Sequence, residues 1–117
     1  MRDKIVVYQK PTCSKCRSTL RILRDRGVDF DAVNYYETPL TAEELGDLIR
    51  KLGVRPRDII RKDEAIYREL NLAGRELDDN ELIKLMVEHP DLIQRPIVVK
   101  GADAVLCRPP ENVEQLL

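Results

Sequence analysis

Lys4-Ile5-Val6-Val7-Tyr8-Gln9-Lys10-Pro11-Thr12-Cys13-Ser14-Lys15-Cys16 is the stretch that decides the fold. Lys4 to Tyr8 is a short β-branched, apolar run and reads as a buried first strand. Pro11-Thr12 interrupts it. From Ser14 to Arg26, Cys16, Leu20 and Leu23 fall at helical spacing with Arg and Lys on the other faces, and Gly27 follows as a stop signal. Phe30 to Tyr36 reads as a second strand. Strand, cysteine-bearing turn, helix and strand are the opening of a βαβ unit.

Working outward, Thr41-Ala42-Glu43-Glu44 is a capping box, in which the Thr and Glu side chains satisfy orphan backbone donors reciprocally. Leu45, Leu48, Ile49 and Leu52 make the apolar stripe of that helix, and Gly53 suits its carboxy-terminal cap. A short helical turn is expected after Pro56, around Asp58 to Arg61, and Glu64 to Leu70 has helical composition. Asp78-Asp79-Asn80-Glu81 starts another helix that runs through Leu82, Ile83, Met86 and Val87 and ends before Pro90. Strand chemistry returns at Pro96 to Lys100; Gly101-Ala102-Asp103 is a tight turn, and Ala104 to Cys107 pairs back as a hairpin. After Pro109-Pro110, Glu111 to Leu117 is expected to form a closing helix. The order βαβ, several helices, ββα is that of an α/β chain with a helical insertion.

The chain has 117 residues, enough for one domain with its own core and no metal or disulfide staples. No repeat, low-complexity tract or Gly/Ser-rich linker marks a boundary, so residues 1–117 are expected to form a single domain. Charged residues nearly balance, and a net charge of -1 gives no global attraction to nucleic acid or to an anionic membrane. No apolar run is long enough to cross a bilayer. Met1-Arg2-Asp3-Lys4-Ile5 carries charge without an apolar segment behind it, which argues against a secretory signal. Three cysteines, two of them three apart, do not make a secreted disulfide scaffold, so a cytoplasmic location is expected.

A cysteine at the end of a strand and just ahead of a helix sits where backbone N–H groups and the helix dipole favour a thiolate, the reactive form. Cys13 has that position, with Lys15 and Arg17 as nearby cations. Cys16 is one turn on and could resolve an adduct on Cys13 as an intramolecular disulfide. The alternative is a fortuitous pair. A zinc site assembled from Cys13, Cys16, His89 and Cys107 matches no compact zinc spacing, so no metal is expected. Cys107 alternates with Val105 and reads as a small buried hydrophobe or a secondary thiol. His89, before Pro90, reads as a helix cap. Among many solvated arginines, Arg61 after Ile59-Ile60, Arg95 before Pro96 and Arg108 before Pro109 have less ordinary surroundings.

Together these motifs resemble the ArsC-type arsenate reductases of the glutaredoxin-linked class over essentially the full length. The matching stretches are Tyr8 through Cys13, Tyr36-Glu37-Thr38-Pro39, Gly53 through Lys62, Gln94-Arg95-Pro96-Ile97-Val98-Val99 and Leu106-Cys107-Arg108-Pro109. The resemblance implies a thioredoxin-like fold with a mixed sheet, and a cis peptide between Arg95 and Pro96. It also implies Cys13 as nucleophile, with Arg61, Arg95 and Arg108 around a tetrahedral oxyanion, arsenate or one similar. No bound cofactor is implied. The external thiol donor would be thioredoxin, or glutathione with glutaredoxin, and the chain would act as a monomer. Two departures stand out. Cys16 replaces the serine found in many members, and Gln9 stands where close relatives carry a histidine. Both bear on how Cys13 is activated and recycled. The competing readings are an Spx-like redox regulator that binds RNA polymerase, and a general disulfide oxidoreductase. The surroundings of Arg61 and Arg108 favour the enzyme over the regulator.

Overall fold

The β-branched run forms strand β1, Ile5–Gln9, whose residues alternate between buried and half-buried as the two-residue period of a strand requires. Helix α1, Ser14–Asp25, follows, and Gly27 at φ 66 takes the left-handed conformation that lets the chain reverse. Strand β2, Phe30–Asn34, runs parallel to β1, with Ile5 opposite Phe30 and Gln9 opposite Asn34. The sequence predicts a strand that continues to Tyr36. It stops at Asn34 because the Asn34 side chain accepts the Tyr36 N–H at 3.0 Å, an Asx turn that competes with the ladder. Two further strands, β3, Ile97–Lys100, and β4, Asp103–Leu106, form a hairpin around Gly101, and β3 pairs antiparallel with β1. The sheet order is β2-β1-β3-β4, an α/β architecture with one parallel and two antiparallel pairings.

This computed structural model describes residues 4–117. Met1-Arg2-Asp3, which entered the reading of the amino terminus, lies outside the described residues. The chain divides into two compact units, one made of the described part of Met1–Pro39 with Arg95–Leu117, the other of Leu40–Gln94. The first carries the sheet. Its core gathers Ile5 and Val7 from β1, Leu20 and Leu23 from α1, Val98 from β3, Cys107, and Val113 from the last segment. That segment, Pro110–Leu116, is a 3-10 helix rather than the expected α-helix. Val113 and Leu116, both turned to the core, are three apart, the 3-10 period.

The second unit is helical. Helix α2, Ala42–Leu52, opens on the expected capping box, with Thr41 Oγ1 accepting the Glu44 N–H at 3.0 Å, and ends on Gly53 at φ 71. Its stripe of Leu45, Leu48 and Ile49 is buried. A 3-10 turn spans Pro56–Ile59, two residues earlier than expected, because the Asp58 carboxylate accepts the Arg55 N–H at 2.9 Å. Helix α3, Ala65–Glu69, is short. Helix α4, Asp79–Glu88, is capped by Asp78, packs against α2, and ends at His89, as the cap reading expects. Ile60 and Ile93 make an isolated antiparallel bridge. No helix among the described residues is long and apolar enough to cross a membrane.

Candidate active site

The turn between β1 and α1 presents the first cysteine. The Cys13 N–H donates to the Lys10 carbonyl at 3.0 Å, which closes the turn around Pro11-Thr12. Cys13 itself is the N-cap of α1, in extended conformation, and its carbonyl accepts the Arg17 N–H at 3.0 Å to begin the helix. Its Sγ takes the place a serine or aspartate oxygen usually fills, accepting the Cys16 N–H at 3.3 Å. The helix therefore starts on a sulfur that is better as an anion than as a thiol.

Cys16, one turn on, falls on the face of α1 that also buries Thr19, Leu20 and Leu23, and has no exposed surface. The two thiols are driven apart. Burial of Cys13 opposes its thiolate, but the Cys16 S–H and N–H, the charge of Arg95 and the Lys15 N–H together outweigh it and hold the Cys13 pKa below the ordinary thiol value. Burial and the hydrogen bond to Cys13 push Cys16 up to about 12. Of the pair, Cys13 is the thiol disposed to ionise, and Cys16 is held protonated against it.

Arg95 is the charge that reaches them. Only 6% of it is exposed, and its Nη1 donates to Tyr35 Oη at 3.4 Å and to Tyr36 Oη at 3.3 Å. Burial works against the guanidinium charge, yet Tyr35, Tyr36 and Cys13 hold its pKa above the ordinary arginine value. Arg108 approaches from the same unit: its Nη1 donates to the Arg95 carbonyl at 3.0 Å. The peptides Arg95–Pro96 and Arg108–Pro109 are both cis, the first as the resemblance implies.

The structure thus gathers Cys13, Cys16 and Arg95, and ties Arg108 to the Arg95 backbone. Arg61 belongs to the other unit. There its N–H donates to the Leu92 carbonyl at 2.7 Å and its Nε to Glu64 at 3.1 Å. Cys107 is fully buried in the core of the sheet unit, and burial pushes its thiol up to about 12 against a hydrogen bond with Thr19. It is packing, as the bland reading of the sequence had it. Among the described residues no group of three or more His, Cys, Asp or Glu is placed to hold a metal ion. Gln9 continues the buried face of Ile5 and Val7, and its Oε1 is buried without a hydrogen-bond partner.

Sequence reasoning passed over Tyr35 as a site residue, and noted Tyr36 only within the motif that ends at Pro39. The missed signal was Asn34, whose turn carries both tyrosines to Arg95.

Three comparisons bear on this site. The profile of the ArsC family matches residues 8–116. Arsenate reductase of Escherichia coli K12 is 42% identical over 98% of this chain and 82% of its own length, and the uncharacterised protein YfgD of the same organism is 42% identical over 100% of this chain and 99% of its own. The solved structure of an arsenate reductase from Vibrio cholerae superposes with a TM-score of 0.94 at 42% identity, covering 100% of both chains.

Proposed function

The chain belongs to the ArsC family, with its thioredoxin-like fold, and from that premise we propose that it is a thiol-dependent arsenate reductase whose nucleophile is Cys13 and whose resolving thiol is Cys16. The observation that carries this reading is the Cys13 sulfur at the N-cap of α1, hydrogen-bonded by Cys16 and charge-balanced by Arg95. Relatives that are arsenate reductases over the whole chain favour the enzyme over an Spx-like regulator.

The chemistry divides into two steps. Cys13 thiolate attacks As(V), an As–S bond forms, and one arsenate oxygen leaves as water after protonation. Arginine forks suit the oxyanion because paired N–H donors match two oxygens at once and carry the opposite charge. Arg95 is the first candidate and Arg108, which donates to its carbonyl, the second. In the second step Cys16 sulfur attacks Cys13 sulfur. The S–As electron pair stays on arsenic, which leaves as arsenite, and the Cys16 proton passes to an arsenite oxygen. Two thiols have been oxidised to a disulfide and arsenic reduced by two electrons. Formation of the adduct removes the Cys13 charge, one of the causes holding the Cys16 proton in place. An internal disulfide makes a bound glutathione unnecessary and suits recycling by thioredoxin, with glutaredoxin as the alternative donor. The reading takes residues 1–117 as one working, monomeric, cytoplasmic enzyme without a metal.

The test is arsenite release by the purified protein with arsenate and either thioredoxin or glutathione–glutaredoxin as donor. Wild type is expected to turn over, and Cys13→Ser to stay at background with both donors. Cys16→Ser is expected to fail with thioredoxin. No arsenite from wild type with any donor would sink the reading. Equal rates for wild type and Cys16→Ser would remove Cys16 from the mechanism.

A further inference from the structure

Two groups beside the nucleophile have no part in the mechanism above: the aromatic pair at the end of β2, and Lys10. The Asn34 turn fixes the pair, since the Asn34 carbonyl accepts the Glu37 and Thr38 N–H groups at 3.1 and 2.9 Å while its side chain takes that of Tyr36. Tyr35 and Tyr36 stack with ring centroids 5.1 Å apart. Both hydroxyls accept from the same nitrogen of Arg95, at distances near the long end of the hydrogen-bond range, so each steers the guanidinium more than it grips it.

The ring of Tyr36 does more. Arg95 Cζ lies 5.8 Å from its centroid and Lys10 Nζ lies 4.6 Å from it, both inside cation–π range. Lys10 is also the residue whose carbonyl closes the turn on the Cys13 N–H. One aromatic side chain therefore touches the guanidinium that faces the nucleophile and the ammonium of the turn that presents it. Two like charges held on one ring repel each other, and the neutral ring lowers that cost without neutralising either.

We propose that Tyr36 is a positioning residue of the oxyanion site, holding Arg95 through its hydroxyl and ring and holding Lys10 through its ring, and that Lys10 is thereby a further cation facing the incoming arsenate. The inference deepens the arsenate reductase reading and rests on it. Lys10 needs only charge and reach for this task, so arginine should serve there and methionine should not. Tyr36 needs its ring first and its hydroxyl second.

The test compares Tyr36→Phe, Tyr36→Leu, Lys10→Met and Lys10→Arg with wild type in two measurements. One is the pH dependence of iodoacetamide alkylation at Cys13, located by mass mapping and needing no arsenate. The other is kcat and KM for arsenate. Tyr36→Leu is expected to move the alkylation midpoint to higher pH and to raise KM about three- to tenfold, with kcat less affected. Tyr36→Phe should fall between it and wild type. Lys10→Met should raise KM by a similar factor, and Lys10→Arg should restore it. Wild-type KM and midpoint in both Tyr36 variants would overturn the positioning role, and wild-type KM in Lys10→Met would overturn the role of Lys10. Tyr36→Phe keeps the ring volume, so its result stands if Tyr36→Leu misfolds. If wild type reduces no arsenate, the functional reading fails, while the Tyr36 midpoints still decide the positioning claim.

Discussion

Cys13 and Cys16 differ by three positions, and their thiols are shifted in opposite directions, because one caps the helix and the other faces its core. The pH behaviour follows with a definite sign. A lowered pKa brings Cys13 to its thiolate plateau at a lower pH than a free thiol, whose midpoint is about 8.5. The midpoint of its alkylation rate in wild type should therefore lie below that of a free thiol. Arg95→Ala removes one of the charges that lower it, so the midpoint should move up. If Arg95 binds the oxyanion as proposed, the same change also removes a charge-assisted contact worth about 1.5–3 kcal/mol, and kcat/KM for arsenate should fall about 10- to 100-fold. Arg95→Lys restores charge without the fork, and should recover the alkylation midpoint better than the turnover. Unchanged alkylation in Arg95→Ala would mean that the helix terminus and the Cys16 thiol activate Cys13 without it.

At the scale of elements, α2 offers a test of why the sequence folds as it does. Gly46 lies inside the helix, and a methyl group there would meet Ile83 Cδ1 of α4 at 3.9 Å, an ordinary contact. Gly53 caps the same helix at φ 71 with nothing within 4 Å of the missing Cβ. Gly46→Ala should stabilise by up to about 1 kcal/mol through helix propensity. Gly53→Ala should destabilise by about 1–2 kcal/mol, because an L side chain is strained in the left-handed region however much space surrounds it. Urea unfolding of the two variants measures both, and equal signs would refute the account. The same contrast explains what the sequence revealed. The capping box at Thr41, the Gly53 cap, the Asp78 start and the apolar run of β1 are local signals, and each stands within a residue or two of its expected place. What was hidden depended on a side chain competing with the backbone, at Asn34 and Asp58, or on a long-range contact. The convergence of Tyr35 and Tyr36 on Arg95, some sixty residues later, is of the second kind, and no periodicity announces it.

At the scale of the whole molecule, the cysteines make stability depend on alkali. All three lie in the sheet unit, and two of them, Cys16 and Cys107, are buried with pKa values near 12. The folded chain therefore keeps two protons that the unfolded chain releases above the ordinary thiol pKa. A raised folded pKa gives stability that is complete below the unfolded value and is lost as pH climbs toward the folded one. Cys13 has the opposite sign, but its contribution is already complete once pH exceeds the ordinary thiol value. The window is thus from about 8.5 up to about 12. Tyrosines and lysines also titrate there, so the informative quantity is a difference between variants. Cys107→Ala removes one of the two retained protons without touching the motif at the helix terminus, and leaves only a small void in the core beside Val7, Leu20 and Val113. Under reducing conditions it should be less stable than wild type near neutrality, by about 1 kcal/mol for the lost packing. Its urea midpoint should then fall more slowly from about pH 8.5 to about pH 11. The slopes should differ by no more than about 1.4 kcal/mol per pH unit, the limit for one proton bound differentially. Parallel slopes would show that Cys107 ionises as easily in the folded chain as in the unfolded one, and its place in a dry core would then be wrong.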